Sequence, residues 1–330
     1  MKVAYLFAGQ GSQYPGMGRD LYENFDAGHR VFDQAGEKIK KLCFEGTADE
    51  LKITSNTQPC VYAVTMAAYE SFISEMKKRG VQETAPAAAA GFSLGEYSAL
   101  TAAGIITSIS DGAELMARRG EWMDAAGRGP DGRPAGGMTA AIGRRNKILE
   151  CAEQAREGSI LEAANFNAPL QTVVSGEIPA LDRFEKIAAG NRIRPVRLAV
   201  GSAFHCRMME PASEKMRALL LEKNFGREAF PVYTNLTGGL VSEYRRAGAE
   251  EGPQSKEDIA DMLALQLMSP VRWDTIMSGL AAGGVDTFVE FGPGKTLSGL
   301  VKKNVKNANV FNVEDAESLE AAVEGLAAGR

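Results

Sequence analysis

Apolar and polar residues follow two different periods along this chain, and the change from one period to the other predicts the order of the elements. Short apolar runs typical of buried strands stand at residues 3–7, 87–90 and 287–291. Longer stretches repeat apolar residues at helical spacing and cover residues 20–39, 56–78, 94–103, 111–126, 210–223, 256–267, 273–282, 295–304 and 316–326. We expect Ser110 and Ser255 to be the N-caps of the helices that follow them. Strands that alternate with helices predict an α/β fold with a mainly parallel sheet.

One stretch, residues 138–200, departs from this alternation. Its periods predict strand, helix, strand, strand, helix and strand in that order, which is the ferredoxin-like arrangement. The preceding residues, 128–137, are rich in glycine and proline and predict a linker. We therefore divide the chain into a discontinuous large α/β domain (1–127 and 201–330), the linker (128–137) and an inserted ferredoxin-like subdomain (138–200).

Composition narrows the classes of function. The 330 residues are 45% hydrophobic and 24% charged, and the net charge of −5 comes without a long block of one sign, so nucleic acid is not expected as a partner. No apolar stretch approaches the roughly 20 residues that span a bilayer, and the run at 3–7 is too short for a signal peptide. The four cysteines form no Cys-x-x-Cys pair, which argues against disulfides and structural zinc. These observations predict a cytoplasmic protein with no membrane partner and no metal.

The strongest candidate for chemistry is the pentapeptide from Gly91 to Gly95, which follows four alanines and precedes an apolar helix. Gly-x-Ser-x-Gly between a strand and a helix is the pattern of a nucleophile elbow, in which the glycines allow close packing and the serine is exposed. Ser93 would then lie at the positive end of the helix dipole. Glycine and serine also form ordinary turns, so the pentapeptide alone leaves nucleophile and turn equally open.

A serine nucleophile needs a base, and the chain contains two histidines. His29 lies in a polar helical stretch and is most simply a surface residue. His205 lies in a loop directly after a predicted strand, where α/β folds place functional side chains, so it is the base if a histidine is the base. An α/β-hydrolase has its acid between serine and histidine and its histidine late in the chain. With 125 residues after His205, the order here counts against a lipase or esterase.

Two further stretches offer groups that bind negative charge. Backbone N–H groups in the loop from Gly9 to Gln13, together with the amide of Leu94, would suit an oxyanion hole, although a tight turn explains the same residues. Arg118 and Arg119 lie among apolar residues of a predicted helix, where a guanidinium is costly unless it meets an anion. That anion is either a substrate carboxylate or a structural acid, and both interpretations stay open at this point.

Taken together, the motifs resemble those of the malonyl-CoA:acyl carrier protein transacylases of bacterial fatty-acid synthesis and of the similar acyltransferase domains of polyketide synthases. They occur in the family's order and cover nearly the whole chain. The motifs are Phe7-Ala8-Gly9-Gln10-Gly11-Ser12-Gln13, Gly91-Phe92-Ser93-Leu94-Gly95-Glu96-Tyr97, Arg119-Gly120, Asn165-Phe166-Asn167, Ala203-Phe204-His205, Gln266, Pro270-Val271-Arg272-Trp273 and Glu290-Phe291-Gly292-Pro293-Gly294. The resemblance implies a hydrolase-like large domain with a ferredoxin-like insert, and a monomer as the usual form.

The resemblance also implies a ping-pong reaction, in which a malonyl group passes from malonyl-CoA to Ser93 and then to the phosphopantetheine thiol of acyl carrier protein. In that reaction His205 is the base, the backbone N–H groups of Gln10 and Leu94 form the oxyanion hole, and Arg119 holds the malonyl carboxylate. No cofactor is expected to stay bound, because coenzyme A arrives as the substrate thioester and phosphopantetheine arrives on the acceptor.

Further residues are expected from the resemblance to orient the histidine or to form the wall of the site. A backbone carbonyl near Gln266 takes the place of a triad acid. Phe204 matches the malonyl-selective version of its motif, in which its bulk leaves no room for an α-methyl group. Phe92 departs from the family, which usually has histidine beside the nucleophile. The expected residues are Gln266, Asn165, Asn167, Phe204 and Phe92.

Two other functions would use the same residues. A serine thioesterase or hydrolase would release the acyl group to water, and a catalytically silent binding module would keep the fold alone. Arg119 and the inserted subdomain argue against the hydrolase. The presence of both Ser93 and His205 argues against the silent module.

Overall fold

Two separate β-sheets organise the chain in the computed structural model, which describes residues 1–80, 85–249 and 254–328. The strands are β1 (Val3–Phe7), β2 (Ala88–Gly91), β3 (Gly136–Ile142), β4 (Leu161–Ala168), β5 (Gln171–Glu177), β6 (Arg194–Arg197), β7 (Val232–Tyr233), β8 (Thr287–Phe291) and β9 (Asn309–Val313). One sheet has the order β7-β2-β1-β8-β9 with parallel pairs, and the other has the order β4-β5-β3-β6 with antiparallel pairs. The predicted α/β fold with a mainly parallel sheet is confirmed.

Helices cover the faces of both sheets. They are α1 (Arg19–Asn24), α2 (Asp26–Ala35), α3 (Glu37–Glu45), α4 (Ala48–Lys52), α5 (Thr54–Lys78), α6 (Gly95–Ala102), α7 (Ile109–Ala126), α8 (Arg145–Arg156), α9 (Ile178–Gly190), α10 (Glu210–Glu222), α11 (Lys256–Gln266), α12 (Trp273–Ala282), α13 (Thr296–Asn304) and α14 (Ala316–Ala328). Short 3-10 helices lie at Arg207–Met209 and Val241–Glu243. Across the described ranges, no helix combines the length and the apolar character needed to cross a bilayer.

Strand β1 lies at the centre of the parallel sheet and is buried on both faces. Tyr5 and Phe7 point to one layer of helices, where they join the core formed by α5 and its neighbours, and Ala4 and Leu6 point to the other layer. This alternation is the two-residue period of a strand, with apolar residues on both faces because both faces are covered. It explains why the first predicted strand is a continuous apolar run.

The carboxyl ends of three neighbouring strands meet at one edge of the parallel sheet. Phe7 at the end of β1 pairs with Gly91 of β2 on one side and with Phe291 of β8 on the other. The three loops that follow, at residues 8–12, 92–94 and 292–295, therefore start at the same level. In parallel α/β sheets this edge is where ligands bind.

The antiparallel sheet has a small core of its own and a second face towards the rest of the chain. Its own core includes Ile148 of α8, Val174 of β5 and Phe184 of α9. Strand β4 is joined to the rest of the chain at Val271, whose N–H donates to the carbonyl of Ala164 at 2.8 Å and whose carbonyl accepts the N–H of Phe166 at 2.9 Å. These contacts place β4 beside the edge at which the parallel strands end.

Several boundaries differ from the sequence predictions. The helix predicted for 20–39 is interrupted at Phe25, which has extended backbone, and at Gly36, with φ of 99°. The prediction that Ser110 is an N-cap is wrong. The Ser108 side chain accepts the Asp111 N–H, and the helix begins two residues before the predicted start. The N-cap Ser255 is confirmed, with a capping box to Asp258.

The predicted linker differs from the structure at its end, and part of one predicted domain range lies outside the described residues. Residues 136–137 fall in the predicted linker but belong to β3, where the glycines pair with β5. A Cβ on Gly136 would lie 2.7 Å from the side chain of Ala203, so this glycine serves close packing within a strand and does not mark a loop. The predicted range 201–330 includes 250–253 and 329–330, which lie outside the described residues.

Candidate active site

The turn after β2 holds Ser93 in a strained conformation. Its φ of 55° lies in the left-handed region, which residues other than glycine adopt at a cost in free energy. Added Cβ atoms would lie 1.9 Å from the Gly95 carbonyl carbon at Gly91 and 2.2 Å from the Phe7 oxygen at Gly95, so both positions need glycine. Asn235 fixes the turn, because its Oδ1 accepts the Ser93 N–H at 2.7 Å and its Nδ2 donates to the Gly91 carbonyl at 2.7 Å.

The hydroxyl of Ser93 is hydrogen-bonded to His205, with 2.7 Å between Oγ and Nε2. On the far side of the ring, Nδ1 lies 3.0 Å from the Gln266 carbonyl and 3.2 Å from the Ser269 carbonyl. Because carbonyl oxygens only accept, Nδ1 carries the hydrogen and Nε2 is left as the acceptor for the serine hydroxyl. The ring is therefore oriented as a general base. The other histidine, His29, is half-exposed on α2 beside Asp33.

The protonation of His205 is set by its surroundings. Burial and, after it, the positive charge of Arg119 lower its pKa to about 4, against the opposing effect of the hydrogen bonds to the two backbone carbonyls. At neutral pH the imidazole is therefore uncharged, which is the form that accepts a proton.

Arg119 is buried beside the nucleophile, with 1% of its surface exposed. Its NH1 donates to Oε1 of Gln58 at 2.8 Å, and its NH2 donates to Oε1 of Gln266 at 3.0 Å and to Oγ of Ser93 at 3.2 Å. Its guanidinium also lies over the ring of Tyr97, 5.5 Å from the centroid. Burial lowers its pKa, yet a guanidinium stays protonated in proteins.

The partners of Arg119 bear on the two interpretations left open by the sequence. Within the described ranges no carboxylate forms an ion pair with Arg119, and its hydrogen-bond partners are neutral groups. Its neighbour Arg118 is exposed and pairs with Glu121 at 3.1 Å. A buried cation whose partners are neutral retains its capacity for an anion, and here that capacity lies beside a serine nucleophile.

Two backbone amides near Ser93 have free N–H groups. Neither the Gln10 amide nor the Leu94 amide donates a hydrogen bond to any described residue. Leu94 is fully buried, and a buried N–H without an acceptor is rare. Gln10 lies in the loop that follows β1, and Leu94 is the residue directly before α6. Free amides close to a nucleophile suit a developing oxyanion.

A cavity of about 390 Å³ opens beside Ser93. Of the residues expected from the sequence, Gln10, Phe92, Arg119, Asn165, Asn167, Phe204 and His205 line it. Gln266 and Leu94 do not line it and lie behind the nucleophile, buried. The Phe92 ring packs against Trp273 edge to face, with 5.3 Å between the ring centroids. Both sheets contribute to the walls, because β4 carries the two asparagines.

Sequence reasoning assigned no role in the site to three residues that hold it together: Gln58, Asn235 and Glu96. Glu96 follows the elbow and is fully buried; burial raises its pKa, although hydrogen bonds from neighbouring groups oppose that rise. The sequence did contain a signal for Asn235, because this residue comes just after a short strand of the parallel sheet, where functional side chains are expected. No sequence signal pointed to Gln58, because it is only one of several buried polar residues on helix α5.

Among the described residues, no group of acidic, histidine or cysteine side chains is arranged to hold a metal ion.

Comparisons with known proteins agree on one family. The family described as acyl transferase domain matches residues 4–323. A malonyl CoA-acyl carrier protein transacylase of Bacillus subtilis (strain 168) is 38% identical over 98% of this chain and 97% of its own, and one of Escherichia coli (strain K12) is 33% identical over 98% and 99%.

Solved structures give the same result. The malonyl CoA-acyl carrier protein transacylase of Clostridium perfringens superposes with a TM-score of 0.86 at 34% identity, covering 99% of this chain and 98% of its own. A malonyl-transacylase solved in complex with a type II polyketide synthase acyl-carrier protein superposes with a TM-score of 0.87 at 33% identity, covering 98% and 100%.

Proposed function

Because this chain belongs to the acyl transferase domain family, we propose that it transfers a malonyl group from malonyl-CoA to the phosphopantetheine thiol of acyl carrier protein through an ester on Ser93. The observation that carries the proposal is Arg119, a buried cation held by neutral side chains with its NH2 3.2 Å from the Ser93 hydroxyl oxygen. A malonyl group bound to Ser93 places its free carboxylate within reach of such a cation. The relatives that carry the malonyl transacylase name support the same assignment.

The first half-reaction forms the ester. The Ser93 hydroxyl gives its proton to Nε2 of His205 while Oγ attacks the thioester carbonyl of malonyl-CoA. The N–H groups of Gln10 and Leu94 stabilise the negative charge on the carbonyl oxygen of the tetrahedral intermediate. The carbon–sulfur bond then breaks, and the coenzyme A thiolate takes the proton from His205.

The second half-reaction repeats these steps with a different nucleophile. The phosphopantetheine thiol gives its proton to His205, and its sulfur attacks the malonyl ester. The ester bond to Ser93 breaks, the serine oxygen recovers the proton from the imidazole, and the malonyl thioester of acyl carrier protein leaves. The Gln266 and Ser269 carbonyls keep the ring oriented while it accepts and returns the proton, because Nδ1 carries its hydrogen in both the neutral and the protonated ring.

Selectivity for the malonyl group has two parts in this proposal. Arg119 attracts the carboxylate, which acetyl-CoA lacks, and a guanidinium fork holds a carboxylate in a fixed orientation. Phe204 occupies the wall where an α-methyl group would lie. Phe92, which packs on Trp273, gives the site an apolar wall in place of the polar residue usual in the family.

We also assign the second sheet to a ferredoxin-like subdomain inserted in a hydrolase-like large domain. The order of elements β3-α8-β4-β5-α9-β6 and the sheet order β4-β5-β3-β6 support this assignment. The insert covers the nucleophile from one side through β4. Such a cover limits access of water to the ester, which favours transfer over hydrolysis.

The rival function is a serine thioesterase or hydrolase on the same Ser93 and His205. The two are separated by incubating the protein with radiolabelled malonyl-CoA, with and without holo acyl carrier protein, and measuring malonyl carrier and free malonate. We expect malonyl carrier to form far faster than malonate, and Ser93→Ala to abolish both products. Malonate release at the rate of transfer would establish the hydrolase instead.

A further inference from the structure

The carboxyl group of Glu96 lies behind the nucleophile and takes no part in the steps above. Glu96 is the second residue of α6 and has 0% of its surface exposed. Its Oε2 accepts the backbone N–H of Asn235 at 3.1 Å and the side-chain Nε2 of Gln266 at 2.9 Å. Those two residues hold the Ser93 backbone from both ends, since Asn235 accepts its N–H and Gln266 donates to its carbonyl at 2.8 Å. One carboxyl group therefore contacts both supports of the nucleophile.

The hydrogen bonds of Glu96 and of the Ser93 carbonyl together determine which way the Gln266 amide faces. A glutamine amide fits the same space in two orientations, which exchange its oxygen and its nitrogen. The Asn235 N–H belongs to the backbone and is always a donor, so the Glu96 oxygen that faces it must accept. Gln266 meets that same oxygen and must therefore present its Nε2. Its Oε1 is then turned to Arg119 and accepts from NH2 at 3.0 Å.

We propose that Glu96 is a positioning residue for malonyl selectivity, which acts with the Ser93 carbonyl to fix the Gln266 amide so that its oxygen holds Arg119 beside Ser93. This inference rests on the function proposed above, because it requires that Arg119 binds the malonyl carboxylate. With the amide reversed, Nε2 of Gln266 would face the guanidinium, and two donors would meet. Arg119 would then keep only Gln58 as a side-chain amide partner, on NH1.

The loss of Glu96 should affect two acyl groups unequally. A displaced Arg119 weakens binding of a substrate carboxylate, so malonyl loading suffers, whereas an acetyl group has no carboxylate to lose. Disturbance of the Ser93 backbone acts on both acyl groups in the same proportion. The ratio of malonyl to acetyl loading therefore isolates the effect that passes through Arg119, and a merely structural role for Glu96 would leave this ratio unchanged.

The test is the rate constant for acylation of Ser93, measured by intact-protein mass spectrometry with malonyl-CoA and with acetyl-CoA. Glu96→Met keeps the volume and removes the acceptor, and we expect it to lower the malonyl-to-acetyl ratio about tenfold, the size of one lost hydrogen bond to a charged group. Glu96→Gln retains an oxygen that can accept from both donors, and we expect it to restore the ratio to within about twofold of wild type, because the role needs an acceptor and not a charge.

Glu290 provides a matched control at a buried carboxylate away from this network. It accepts the N–H groups of Leu297 and Ser298 at 2.9 and 2.6 Å, as Glu96 accepts two N–H groups. Glu290→Met should lower the melting temperature and leave the malonyl-to-acetyl ratio unchanged. A ratio that falls equally in Glu290→Met and Glu96→Met, or that does not fall in Glu96→Met, overturns the proposal.

A second variant decides the matter if Glu96→Met does not fold. Gln266→Met removes the amide between Glu96 and Arg119 and leaves the backbone carbonyl that binds His205. We expect it to reproduce the loss of ratio, with Glu96→Gln still within about twofold of wild type; an unchanged ratio in Gln266→Met refutes the inference. Wild-type protein in the same assay tests the proposed function separately, since the absence of a malonyl ester on Ser93 would reject that function whatever the variants do.

Discussion

The pKa of His205 separates this site from one built on an ordinary, solvated histidine. Burial, followed by the charge of Arg119, lowers that pKa from 6.5 to about 4. At pH 5 a base with a pKa of about 4 is about 90% neutral, whereas a base at 6.5 would be about 3% neutral. Acylation of Ser93 should therefore keep most of its rate at pH 5, about thirtyfold more than an ordinary histidine would allow.

The informative perturbation is Arg119→Gln, assayed with acetyl-CoA because acetyl has no carboxylate. Removing the guanidinium removes the second cause of the lowering, so the pKa of His205 should rise. Burial, the larger cause, remains, so the pKa should stay below 6.5. The assay is the pH dependence of single-turnover acetylation of Ser93. A wild-type midpoint near 6.5, or an identical midpoint in Arg119→Gln, would refute the reasoning.

The same pKa affects folding and must be controlled. Because the folded-state pKa of His205 lies below its unfolded value, the contribution of the neutral ring to stability is fully present above pH 6.5 and is lost as the pH falls towards 4. Circular dichroism at each pH of the rate assay shows whether the protein is still folded. Only rates from folded protein enter the comparison.

Two further predictions concern the carboxylate partner and the elbow. Arg119→Ala should lower malonyl loading by about 10- to 100-fold, so that acetyl loading increases relative to malonyl loading. Competition between the two thioesters measures this ratio. Unchanged malonyl loading would show that Arg119 does not bind the malonyl carboxylate. Gly95→Ala should lower the free energy of unfolding by about 1–3 kcal/mol in urea denaturation and slow acylation, because its Cβ would lie 2.2 Å from the Phe7 oxygen. Gly299→Ala is its control, since a Cβ there has nothing within 4 Å, and equal stability of the two variants would contradict the packing argument.

The sequence predicted those parts of the site that depend on local pattern. The elbow at Ser93 was recognisable because its chemistry requires glycine at two fixed positions, and both glycines lie against backbone atoms in the structure. His205 followed from its place after a strand and from the scarcity of histidine. Periodicity also predicted the α/β alternation, because covered parallel strands are apolar on both faces.

What the sequence did not predict depends on contacts between distant residues. Gln58 lies 61 positions from Arg119, and Asn235 lies 142 positions from Ser93, so no local period links either residue to the partner it holds. The orientation of the Gln266 amide depends on Glu96, 170 positions away, and on the Ser93 carbonyl, 173 positions away. The linker was misjudged at Gly136 because the glycine that predicts a loop serves close packing of a strand against Ala203.

The central claim is that Ser93 carries a malonyl ester that acyl carrier protein removes. Intact-protein mass spectrometry after mixing with malonyl-CoA measures this directly. We predict a single malonyl adduct that persists in buffer, that is absent in Ser93→Ala, and that disappears when holo acyl carrier protein is added, with the malonyl mass appearing on the carrier. An adduct that survives Ser93→Ala, or one that holo acyl carrier protein leaves in place, would contradict the account.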